Sequence, residues 1–229
     1  MENPYPNNKF KAITFSFDDG TNQDIRLVNL FNKYNLKCTF NINSGISNHN
    51  CRWVYNNVEI YRLEKDELIK AYKGHEVASH SLSHPHLFDL SKEEIIKEIK
   101  DDIANLNNWF SHQKIIGFAY PYGQVNQEIK DILGNNNIKW ARNAGHSNSF
   151  EIGDDLLNYT PTCHFLSKDL PMILKKFLSL KTNKKQVLFI WGHSNELDTN
   201  NCWEYFENIL KELSNKEDIY YCTNSEALL

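Results

Sequence analysis

Ala12-Ile13-Thr14-Phe15-Ser16-Phe17-Asp18-Asp19-Gly20 is an apolar run that stops on two adjacent carboxylates. Ile13, Phe15 and Phe17 alternate with smaller residues, the pattern of a buried strand, and Gly20 lets the chain turn away directly after the acids. An Asp-Gly pair alone is an ordinary turn signal. Its meaning changes with a second stretch, Ala78-Ser79-His80-Ser81-Leu82-Ser83-His84-Pro85-His86. Two imidazoles and one carboxylate are a ligand set for a divalent metal.

Outward from the first stretch, helices and strands alternate. Apolar spacing predicts a helix over 23–35 and a strand over 37–43. Residues 46–61 have no clear period and read as a long loop or short irregular helix, with Trp53 either packed or serving as a sugar platform. A short helix over 65–73, closed by Gly74, leads to a strand over 75–80 that runs into the histidines. Ser91 and Glu94 form a capping box for a helix over 93–110 with Ile95, Ile96, Ile99, Ile103 and Leu106 on one face.

Further strands are expected over 114–120, 138–143, 157–165, 186–191 and 219–222, with helices over 127–133, 170–180 and 203–213. Residues 144–155 are too polar for a core and read as a loop. Asp18, Asp19, His80, His84, Tyr122 and His193 all fall where a strand ends. In a parallel barrel such ends share one rim, the place where that architecture carries its chemistry. The expectation is an α/β chain forming a single (β/α) barrel domain over 1–229, with its active site at the C-terminal ends of the strands.

Composition narrows the function. The 229 residues carry a net charge of −4, with lysines and arginines scattered, so no basic field suits nucleic acid. The five cysteines, Cys38, Cys51, Cys163, Cys202 and Cys222, form no CxxC pair and are odd in number, which points to reduced thiols. No stretch is long and apolar enough to cross a bilayer, and the first residues lack a basic-then-apolar leader pattern, so a cytoplasmic location is expected.

Four stretches in this order, Asp18-Asp19, His80-Ser81-Leu82-Ser83-His84, Phe118-Ala119-Tyr120-Pro121-Tyr122-Gly123 and Ile190-Trp191-Gly192-His193, resemble the polysaccharide deacetylase family, carbohydrate esterase family four. The resemblance spans nearly the whole chain. It implies a distorted barrel of about seven strands and a divalent metal, zinc first, with cobalt, manganese or nickel as alternates. It also implies removal of acetyl groups from a carbohydrate substrate. Asp19, His80 and His84 then match the metal ligands, Asp18 the base, His193 the acid that protonates the leaving nitrogen, and the Tyr122 backbone N–H the oxyanion donor. Trp191, Pro121, Tyr122 and Trp140 offer apolar faces to the sugar or the acetyl methyl. His86, His146 and His164 fall near the cleft, with ordinary loop or packing roles expected for each.

The sequence departs from that family twice. Ala119 stands where an arginine usually pairs with the base, and Arg142, at another strand end, is the candidate replacement. The Asp-Trp pair that orients the last histidine is missing, with Asp154, Asp155 or Glu196 as substitutes. The expected activity is N-deacetylation of an N-acetylglucosamine-type unit. Its rivals are an O-acetyl ester or non-sugar amide hydrolase on the same site, an inactive carbohydrate-binding barrel, and a glycosidase, which would have no use for the histidines.

Overall fold

The computed structural model describes residues 3–229. Strand β1 (Lys11–Asp18) is buried at every position, and its alternation splits two environments. Ile13, Phe15 and Phe17 pack outward against Phe31 and Phe206 on covering helices, while Ala12 joins Val187, Phe189 and Trp191 on the other face. Thr14, Ser16 and Asp18 share that second face, so the polar residues of the run point into the barrel.

Helix α1 (Asp24–Lys33) leads to β2 (Thr39–Ile42), which runs parallel to β1. Next comes an antiparallel hairpin, β3 (Arg52–Tyr55) with β4 (Val58–Tyr61), where a loop or irregular helix is expected from the sequence. The reason is the two-residue turn: Asn56 and Asn57 both take positive φ, 50° and 61°, the mirror-image turn that asparagine tolerates and that matches strand twist. The flanking β-branched and aromatic residues were a hairpin signal hidden by the lack of alternation.

The chain continues through α2 (Lys65–Ala71), β5 (Glu76–Ser79), α3 (Lys92–Trp109), β6 (Gly117–Ala119), α4 (Gln127–Asn135) and β7 (Trp140–Arg142). Strand β8 is only Cys163–His164, shorter than the strand expected over 157–165. Then follow α5 (Leu170–Ser179), β9 (Gln186–His193), α6 (Asn195–Thr199), α7 (Trp203–Leu213), β10 (Ile219–Tyr221) and α8 (Asn224–Leu228). The short helices α6 and α8 lie outside the periodic segments that the sequence marks.

The sheet order is β7-β6-β5-β2-β1-β9-β8, with β10 beside the start of β1, and every pairing is parallel. The sheet curls because Tyr159 bridges to Arg142 at the β7 edge while β8, a few residues on, pairs with β9. This is the expected distorted (β/α) barrel. Residues 159–164 close it with a brief bridge and a two-residue strand instead of one continuous strand. No helix among the described residues is long and apolar enough to cross a membrane.

Candidate active site

The register of β1 sets the site. Asp18 lies opposite Asn41 of β2 on one side and His193 of β9 on the other. Asp19 takes φ 82°, which ends the strand and turns its carboxylate sideways from that of Asp18. Its Oδ1 lies 3.9 Å from Nε2 of both His80 and His84. The ligand atoms of Asp19, His80 and His84 all fall within 4.8 Å of one another.

The donor chemistry of these three residues suits a cation. His80 Nδ1 donates to the Ala119 carbonyl at 2.7 Å, so the proton sits on Nδ1 and Nε2 offers a lone pair. Burial pushes His80 down to about 4, against the pull of Asp18, and burial also lowers His84, so both rings are neutral and able to offer a lone pair at ordinary pH. The Asp19 carboxyl is held well below the usual carboxylate range. Burial opposes this, but the Arg62 guanidinium and nearby imidazoles outweigh it.

Asp18 is 2% exposed, yet it stays ionised. Burial raises its pKa, and Arg142, His80 and His193 together more than reverse that. Arg142, itself fully buried, puts Nη2 on Asp18 Oδ1 and donates from Nε to Ser16 Oγ at 3.1 Å. Asn41 Nδ2 donates to the same Asp18 oxygen at 2.7 Å. The guanidinium absent at Ala119 is thus supplied from β7, whose Arg142 lies in register with Ala119.

On the far side, His193 Nε2 is 3.9 Å from Asp18 Oδ2 and its Nδ1 is 3.3 Å from Glu196 Oε2. Burial alone would lower His193, but the Glu196 hydrogen bond and the Asp19 and Asp18 charges push it up to about 9. Of the three acids considered as partner of this histidine, Glu196 is the one in contact. Asp155 instead pairs with Lys130 at 2.7 Å, and Asp154 is exposed.

The aromatic expectations are corrected in part. Trp140 is fully buried, lying against Gly117, where even a Cβ would come within 2.1 Å of its ring, so it cannot meet a sugar. Trp191 is 8% exposed, with the Arg142 guanidinium 4.9 Å from its ring centroid; it is too deep for an open stacking platform and presents only a small part of its surface. Pro121 is buried and shapes its turn without offering a contact face. Tyr122, with φ 55°, is 57% exposed and stacks on His86 at 3.7 Å.

The sequence reading missed Arg62. It is 7% exposed, and Nη2 lies 3.1 Å from Asp19 Oδ1 while Nη1 donates to Asn43 Oδ1 at 2.8 Å. It follows β4 directly, so only the hairpin brings it to the rim; no local motif marks it.

Residues 6–141 match the polysaccharide deacetylase family. The chain belongs to that family. A peptidoglycan-N-acetylglucosamine deacetylase of Listeria monocytogenes, PgdA, is 28% identical over 148 residues, covering 59% of this chain and 28% of the relative. The chain therefore spans little more than a quarter of the length of the curated relatives it matches. Among solved structures, the Xyl-CE4 domain of a multidomain xylanase from the hindgut metagenome of Trinervitermes trinervoides superposes with a TM-score of 0.59 at 19% identity, over 95% of this chain and 89% of that one. The peptidoglycan deacetylase PdaC of Bacillus subtilis gives a TM-score of 0.56 at 18% identity, over 97% and 91%. At these identities the two structures speak for the fold.

Proposed function

We propose that the chain is a metal-dependent hydrolase that removes N-acetyl groups from N-acetylglucosamine-type units of a glycan or oligosaccharide. One observation carries the reading. Three metal-suited side chains, Asp19, His80 and His84, meet beside a separate carboxylate, Asp18, that is flanked by Arg142 and His193.

Asp19, His80 and His84 would hold one divalent cation, zinc first, leaving positions open as hydrolytic sites require. When bound, it supplies Lewis-acid polarisation of the acetyl carbonyl and acidifies water. Asp18, kept ionised by Arg142, accepts the proton of the attacking water. His193 then delivers a proton from Nε2 to the leaving nitrogen as the C–N bond breaks, giving acetate and a free amine. The backbone N–H of Tyr122 donates to the developing oxyanion, a task Pro121 cannot perform because it lacks an N–H. The accessible part of Trp191 walls the space for the acetyl methyl.

The peptidoglycan deacetylase named above supports an amide substrate. The test is acetate release from chitooligosaccharides and from acetylxylan, with and without a chelator, on protein of known metal content. Chelator-sensitive release from the former is expected. Release from acetylxylan alone would move the reading to ester hydrolysis, and glycan binding without acetate would mark an inactive barrel.

A further inference from the structure

We propose that His164 is a positioning residue for His193, acting through Glu196, and that the pair replaces the Asp-Trp partner this chain lacks. The inference rests on His193 being the proton donor of the reading above.

Glu196 sits in the first turn of α6, three residues after His193, and its Oε2 accepts from the His193 backbone N–H at 2.8 Å. The Glu196 side chain is 28% exposed, so that local link alone leaves the carboxylate free to swing into solvent. His164 of β8 closes the other side, with Nε2 3.0 Å from the same Oε2. Strand pairing sets His164 opposite Trp191, and its ring stands edge-on to that indole at 4.7 Å.

The direction of the protons follows from a backbone donor. The Leu166 N–H donates to His164 Nδ1 at 3.1 Å, and a nitrogen that accepts cannot also carry the proton. The neutral ring therefore holds its proton on Nε2, against Glu196. His193, with Nδ1 at Glu196, turns Nε2 toward Asp18 and the cleft. Oriented this way, the histidine presents its exchangeable proton to the reacting nitrogen.

His164, His193 and Glu196 are also ligand types that suit a cation, and their atoms cluster within 4.8 Å. A cation there would need the lone pair of His164 Nε2, which the Leu166 donor on Nδ1 denies unless the ring becomes an imidazolate. The geometry thus favours a hydrogen-bonded clamp over a second metal centre. The charged and titratable groups facing His193 are Asp18 and Asp19 from the end of β1, Glu196 from α6 and His164 from β8.

The experiment compares His164→Leu, His164→Gln, Glu196→Gln and His193→Ala in acetate release from chitopentaose, with metal content and the pH profile of kcat/KM measured for each. His193→Ala should lose at least about a hundredfold in kcat. His164→Leu should lose about tenfold in kcat with little change in KM or metal content, and the basic limb of its pH profile should move to lower pH. His164→Gln, whose amide N–H can stand in for Nε2–H, should recover most of the rate, and Glu196→Gln should move the basic limb the same way. Wild-type kcat and pH profile in His164→Leu, with His193→Ala disabled, would overturn the proposal. So would a rate loss that glutamine fails to rescue and that leaves the basic limb in place. Should His164→Leu not fold, an unmoved limb in Glu196→Gln overturns it equally. Full activity in His193→Ala would instead reject the acid role beneath it.

Discussion

Arg142 and Asp18 form a buried ion pair whose partners are 124 residues apart in the chain. Removing one partner of such a pair leaves an uncompensated charge in the interior. Arg142→Met should therefore cost about 3 kcal/mol of stability in denaturant melts and lower turnover about a hundredfold, with metal content unchanged by elemental analysis. Turnover equal to wild type would separate Arg142 from the chemistry. His84→Ala should act at the other end of the site. It removes one of the three ligand atoms that converge there, so metal content and acetate release should fall together, and retained metal would show that His84 is not a ligand. Asp18, Asp19, His80 and His84 were legible as candidates because each set is contiguous in sequence and ends a strand. Arg62 was not, because it owes its contact with Asp19 to a hairpin that the sequence pattern did not reveal.

Among elements, α3 was the most legible. Ser91 and Glu94 close a reciprocal capping box that involves no residue outside the helix start, and local information is enough to place such an end. Ser91→Ala should cost about 1 kcal/mol, read from the shift in a urea melt. The β3–β4 hairpin was less legible. Strand β3 is exposed at every residue, and in β4 only Ile60 is buried, so burial imposed little alternation of polar and apolar side chains. Trp53, 37% exposed with the Arg62 guanidinium 5.9 Å from its ring centroid, is the aromatic this hairpin brings to the rim. If a sugar unit stacks there, Trp53→Ala should raise KM for chitopentaose about fivefold, the equivalent of about 1 kcal/mol of aromatic contact, while leaving turnover of a monosaccharide substrate unchanged. An unaltered KM for the pentamer would return Trp53 to a packing role.

At the scale of the whole molecule, the barrel buries more ionisable groups than its site uses. Asp102 on α3 is fully buried and accepts from the Ser44 backbone N–H at 2.7 Å and from Ser79 Oγ, tying the turn after β2 and the end of β5 to the helix. Burial pushes its carboxyl up from 3.8 to about 7, and the same cause raises Asp24 to about 7. The folded chain thus holds protons that the unfolded chain releases. Stability from this source is full below the unfolded value and falls as pH rises from about 4 to about 7. Asp102→Asn keeps an acceptor for Ser44 and offers Ser79 an N–H, so its Tm should fall less than that of wild type between pH 5 and 8 by calorimetry. Parallel Tm curves would mean that Asp102 is ionised throughout. By itself the sequence determined the α/β alternation, the barrel class and the two motifs holding Asp18, Asp19, His80 and His84, because periodicity and contiguous motifs are properties of neighbouring residues. Only the tertiary structure decided that Arg142 meets Asp18, that His164 meets Glu196 from β8, and that Arg62 meets Asp19. Those contacts depend on strand register, on the sheet curling from β7 round to β8, and on a hairpin folding back over the rim, and none of these is encoded within any single window of the chain.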